Sequence, residues 1–166
     1  MDGRDDLEQQ YSRIPTVDDL VDLCRNLNAH GVRYVVIGGF AVIRHGYIRA
    51  TADIDLLVED SIANIRKLRA ALAYLPEAEA EQIQDHDLTD YQVVRVAGEV
   101  TIDLLAKACE ISWPISENDL VYDEIDGVTI PYLKPQVLIK TKLGVRPKDI
   151  QDRTFLEHLI GRLERS

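Results

Sequence analysis

The sequence predicts a single α/β domain in which helices flank a mixed, twisted sheet and further helices close the chain. Three observations carry that prediction. Short β-rich runs alternate with helical stretches along the chain. Capping residues, glycines and prolines punctuate the runs where each should begin or stop. The chain has 166 residues, 46% hydrophobic and 29% charged, which suits one domain able to bury a sizeable core.

The elements follow in order. Residues 1–13 are polar and acidic and read as a flexible tail, leaving 14–166 as the domain. Thr16 is an N-cap, with Asp19 in the place of the capping-box Glu. Val17, Leu20, Val21, Cys24 and Leu27 then form an apolar stripe at helical spacing, which Gly31 ends. Residues 34–37 are a short buried strand. A short helix over 39–46 follows, then a loop and a strand over 54–58. Ser61 caps a helix that stops at Pro76. Residues 77–90 are acidic without a clear period. Strands are expected over 91–96 and 100–105, and a hairpin over 121–132 turns at Asp126-Gly127. Helices over 135–145 and 148–163 close the chain, the core spanning about 32–133.

Charge narrows the function. The formal net charge is −10, so broad non-specific binding to a phosphate backbone is disfavoured, although a local basic patch remains compatible with it. No signal-peptide pattern and no membrane-spanning apolar run is present, so a cytoplasmic location is expected. Cys24 and Cys109 lie far apart and are expected to be buried thiols in a reducing compartment.

Two carboxylates, Asp53 and Asp55, sit in and beside the apolar strand over 54–58. Alternation puts Asp53 and Asp55 on one face, roughly 6–7 Å apart at Cα. Unpaired, they would repel each other, and burying either would cost several kcal/mol. A divalent cation such as Mg²⁺, which takes hard oxygen ligands, removes that penalty. Asp103 interrupts the later β-rich run 100–105 in the same way. Three carboxylates on two strands of one sheet suit the two-metal arrangement for in-line phosphoryl or nucleotidyl displacement. Upstream, Gly38-Gly39 sits at a strand-to-helix junction, where backbone N–H groups can approach phosphate oxygens closely. The pattern is not a dinucleotide fingerprint, because GxGxxG is absent.

Other candidates have plainer readings. His45 at a helix end is expected to bond a carbonyl, and His30, His86 and His158 carry no partner pattern. Lys140 and Lys142 lie two apart, so only one can face a common site. Asp149 and Asp152 are expected to pair with Arg146 or Lys148 or to cap their helix. Trp113 is expected to pack over a loop.

The combined string GGxAVxxHGxxRxTxDIDLLV, from Gly38 to Val58, resembles the nucleotidyltransferase superfamily with the DNA polymerase β-type palm. It is similar in particular to the branch of AbiEii-type toxins and their small standalone relatives. The segment from Lys140 to Asp152 resembles that branch's helical motif. The resemblance implies a minimal nucleotidyltransferase fold and Mg²⁺-dependent transfer of a nucleoside monophosphate from an NTP such as ATP to a hydroxyl. It implies that Asp53, Asp55 and Asp103 hold two Mg²⁺ ions, with Asp103 completing the site or acting as base. Gly38 and Gly39 would lie against the triphosphate, Lys142 or else Lys140 would reach it, and Arg49 would contact phosphate or order its loop. The acceptor stays open among an RNA 3′ end such as that of tRNA, a protein and a small molecule. A toxin–antitoxin role, with an antitoxin as partner, is implied too. The alternatives are an antibiotic-type small-molecule enzyme and a non-catalytic nucleotide- or partner-binding relative. The sequence departs from the superfamily's Gly-Ser motif: Gly39 stands in place of the serine, which removes one hydroxyl.

Overall fold

Thr16 starts the first helix through a reciprocal cap. In the computed structural model, which describes residues 12–76 and 79–166, Asp19 N donates to Thr16 Oγ1 at 3.4 Å and Thr16 N donates to Asp19 Oδ2 at 2.7 Å. Helix α1 (Val17–Ala29) buries Leu20, Val21, Leu23, Cys24 and Leu27. Val17, placed in the apolar stripe by its spacing, is instead exposed. Because this cap satisfies two helix-end N–H groups, Thr16→Ala is expected to cost about 1 kcal/mol in urea denaturation. Residues 1–11 of the expected tail lie outside the described residues. At its end, Ser12 Oγ donates to Gly98 O and Arg13 N to Glu99 O.

Strand β1 (Tyr34–Ile37) is buried along its whole length. Helix α2 (Gly38–Arg44) follows directly, and a loop returns the chain to β2 (Asp53–Val58). Helix α3 (Ile62–Ala71) is capped by Ser61, as expected. One turn of helix, α4 (Asp87–Asp90), precedes β3 (Val94–Ala97) and β4 (Thr101–Leu105). The strand expected from residue 91 therefore begins three residues later. His86 O already accepts from Thr89 N and Asp90 N, which commits the preceding residues to a helical turn. A two-stranded hairpin, β5 (Lys107–Ala108) and β6 (Ile111–Ser112), follows unannounced by the sequence. Cys109 in its tight turn has φ 51° and is exposed, not buried as expected. Strands β7 (Leu120–Ile125) and β8 (Val128–Leu133) form the hairpin anticipated at Asp126-Gly127, both of whose turn residues have positive φ.

The main sheet has the order β3-β4-β2-β1-β8-β7. The β2–β4 and β1–β8 pairs are parallel and the others antiparallel, so the sheet is mixed. Ile54, Leu56, Leu57 and Val58 are all fully buried, so the apolar row of β2 meets packing on both faces beyond the aspartates.

The helix expected over 135–145 breaks early. Helix α5 (Pro135–Leu138) tightens into a 3₁₀ turn at Ile139–Thr141, and Lys142 leaves helical geometry with φ −112° and ψ 30°. Helix α6 (Pro147–Glu164) then begins with its proline in the first turn. The break puts Lys142 against α6 and not along a continuing helix. Among the described residues, no helix is long and apolar enough to cross a membrane.

Candidate active site

Register brings the predicted carboxylates together. Asp55 on β2 lies opposite Asp103 on β4, and Asp53 opposite Thr101. One oxygen from each of Asp53, Asp55 and Asp103 lies within 4.8 Å of the other two. The three line a cavity of about 700 Å³ that also meets Gly38, Gly39 and Lys142, a size typical of small-molecule sites. Burial, reinforced by the charges of Asp103 and Asp53, pushes the Asp55 carboxyl up to about 7. Three hard oxygen donors crowded this closely fit a divalent cation, whose charge would relieve that repulsion.

Asp103 has a partner that its sequence context did not reveal. Arg95, its register neighbour on β3, donates from Nε to Oδ1 at 2.8 Å and from Nη2 to Oδ2 at 3.1 Å. This forked ion pair fixes the plane of the carboxylate.

The two glycines have steric causes. Gly38 has φ 67°, and a Cβ there would overlap the Asp55 carboxylate. Glycine is needed both for the backbone and for the carboxylate packed over it. Gly38→Ala is expected to cost about 1–3 kcal/mol and to displace Asp55. The cost should shrink in an Asp55→Ala background, a coupling that a double-mutant cycle in denaturant measures. A Cβ on Gly39 would run into the Thr51 side chain and approach Arg49 Nη2 at 3.2 Å.

A second cluster forms around Asp152. Asp152, fully buried on α6, accepts from Arg49 Nη2 at 2.8 Å and pairs with Lys142 Nζ at 3.0 Å, both through Oδ2. Its Oδ1 and Arg49 Nε are buried without a hydrogen-bond partner. Two cations thus share one carboxylate, leaving one positive charge in excess at the cavity wall. Asp152 was expected to pair locally and does not, whereas Asp149 does pair with Arg146 at 3.0 Å. Of the two candidate lysines, Lys142 lines the cavity, while Lys140 is exposed and is not among its lining residues.

The remaining candidates keep their plain readings. His45 Nε2 bonds Leu133 O at 2.9 Å, and burial holds the ring's pKa below its ordinary value. His86 and His158 are exposed. Trp113 packs half-buried against the core.

With this geometry in place, comparison is informative. The profile of the family described as "Nucleotidyl transferase of unknown function (DUF2204)" matches residues 16–162. The chain belongs to this family. Its fold is shared with a Thermotoga maritima protein provisionally assigned as a nucleotidyltransferase, at TM-score 0.54 and 13% identity, covering 95% of this chain and 99% of that one. It is shared as well with the lincosamide antibiotic adenylyltransferase LnuA in its lincomycin-bound form, at 0.52 and 14%, covering 89% and 99%. An antigenic nucleotidyltransferase-like protein from Paracoccidioides brasiliensis aligns at 0.50 and 17%, covering 84% and 74%. No curated protein matches the chain significantly. This DUF2204 member is thus a nucleotidyltransferase-superfamily protein with a mixed sheet flanked by helices.

Proposed function

We propose that this DUF2204 protein transfers a nucleoside monophosphate from an NTP, ATP among them, to a hydroxyl acceptor in the presence of Mg²⁺, releasing pyrophosphate. The observation that carries the reading is the convergence of Asp53, Asp55 and Asp103 beside a cation pair with one positive charge in excess. Divalent cations held by the three carboxylates would supply positive charge toward the phosphate oxygens and the acceptor hydroxyl. Lys142 and Arg49, steadied by Asp152, face the cavity where triphosphate oxygens would lie. Gly38 and Gly39 let the backbone come close to those oxygens. Arg95 engages both oxygens of Asp103, which favours a ligand role for that carboxylate over a base role.

The acceptor is an RNA end, a protein side chain or a small molecule. Likeness of the Gly38–Val58 string to AbiEii-type toxins supports a toxin-like, cytoplasmic role with an antitoxin partner. A small-molecule acceptor has its own support. Of the five cations lining the cavity, Arg49, Arg95, Lys142 and Arg146 are already ion-paired, Lys148 being the fifth, and the chain carries a net charge of −10, so an extended phosphate backbone finds little purchase. The structural neighbour LnuA is described as acting on an antibiotic.

Incubation with α-labelled NTPs, Mg²⁺ and separate pools of RNA, protein and low-mass metabolites tests the reading. Label is expected in one pool and names the acceptor class. No transfer into any pool, together with unchanged cation binding in Asp53→Ala/Asp55→Ala, overturns it. NTP binding without transfer identifies a non-catalytic relative.

A further inference from the structure

At both glycines of the pair the side-chain space is already taken, at Gly38 by the Asp55 carboxylate and at Gly39 by a hydroxyl-bearing side chain. A Cβ built at Gly39 collides with Thr51 Oγ1 and Thr51 Cβ, although the two residues are twelve positions apart in the chain. Thr51 therefore puts its hydroxyl in the volume that a residue-39 side chain would occupy. The hydroxyl faces the same cavity as Gly39, Arg49 and Lys142. Among the described residues, the hydroxyl donates to Asp53 O at a long 3.1 Å. Rotation of the hydroxyl hydrogen about the Cβ–Oγ1 bond frees it to donate elsewhere while the oxygen stays in place.

We infer that Thr51 is a phosphate-binding residue, its hydroxyl donating to the triphosphate beside Arg49 and Lys142 and supplying from the β2-side loop the group that Gly39 lacks. The inference rests on the nucleotide reading above and goes beyond it by assigning a residue. The chemistry is that of a short hydroxyl donor to an anionic oxygen, a bond stronger than a neutral one. Arg49 and Lys142 provide the charge, and Thr51 provides direction. The loop is tied at both ends, by the Arg49–Asp152 ion pair and by β2, so the hydroxyl is held ready and need not be recruited.

Inorganic tripolyphosphate with Mg²⁺ is the probe, because it is independent of which base the enzyme prefers. Calorimetric titration is expected to give similar affinities for the wild type and Thr51→Ser. Thr51→Val, equal in shape but without the donor, is expected to bind about tenfold more weakly or worse. Mn²⁺ affinity measured without phosphate should be the same in all three, which separates phosphate ligation from mere support of the Asp53 backbone. Moving the hydroxyl gives a second arm: Gly39→Ser combined with Thr51→Gly fills the same volume from the other side and should recover affinity lost in Thr51→Gly alone. If that pair fails to fold, the comparison of Thr51→Val with Thr51→Ser still decides. Equal tripolyphosphate affinity in wild type and Thr51→Val overturns the inference alone, as does a loss of Mn²⁺ affinity parallel to that of tripolyphosphate. A wild-type protein that neither binds tripolyphosphate nor transfers label from any NTP overturns the nucleotide reading with it.

Discussion

Asp55→Asn is expected to make the cation-free protein more stable while abolishing nucleotidyl transfer. The residue is half-buried, and the desolvation of its carboxyl, with the charges of Asp103 and Asp53, pushes its pKa from the usual carboxylate range up to about 7. The folded state therefore holds a proton that the unfolded chain has already released. Below about pH 4 both states are protonated at this residue and it contributes nothing. As pH rises from about 4 toward 7 the folded state loses stability relative to the unfolded one, and above that the loss is complete. Its full size is on the order of 2–4 kcal/mol. Asparagine removes the charge and should flatten that slope in urea denaturation series without divalent cation. Mg²⁺ should stabilise the wild type near neutral pH and do far less for the variant. Transfer should fall about 10³-fold or more, as several kcal/mol of metal-assisted stabilisation disappear. A variant that loses activity without gaining cation-free stability would show that the triad does not carry the strain described.

Asp152→Ala should destabilise the fold and weaken phosphate binding together. The side chains of Arg49 and Lys142 are only 14% and 10% exposed, and both depend on the buried Asp152 for their counter-charge. Removing that charge strands two cations, an effect worth about 3–5 kcal/mol for a broken buried pair. Adding Lys142→Met to Asp152→Ala removes one stranded charge and should recover part of the stability but none of the activity. That opposite response distinguishes a charge-balancing role from simple loss of packing. Denaturant midpoints and label transfer measure the two sides.

Much of the carboxylate half of the site was legible because charge in a β-rich apolar run has few explanations. Asp53, Asp55 and Asp103 each broke an otherwise buried alternation, and register then made them neighbours. The cationic half was harder to read. Arg95 sits in Val94-Arg95-Val96, where a lone arginine looks like a solvent-facing strand residue, and only pairing with β4 reveals its target. Asp152 lies three residues after Asp149 and invited a local explanation, whereas its ion-pair partner Arg49 is 103 residues away. Thr51 carried no signal because a hydroxyl in a loop is unremarkable until Gly39 is seen to lack room for a side chain. The early end of the helix after Leu138 escaped periodicity as well. Lys142 leaves helical geometry where it pairs with Asp152 of α6, a contact that periodicity does not report.

The anchoring of Lys142 and Arg49 by a residue of α6 has a consequence for the order in which the protein becomes competent. All three carboxylates precede Asp152 in the chain and leave the ribosome before α6 does. On the proposed function, a nascent chain would gather its three carboxylates while the anchored cation pair is still missing. The two cations acquire their common counter-charge only when α6 docks. That helix would then act as a latch, without which nucleotide could not be held.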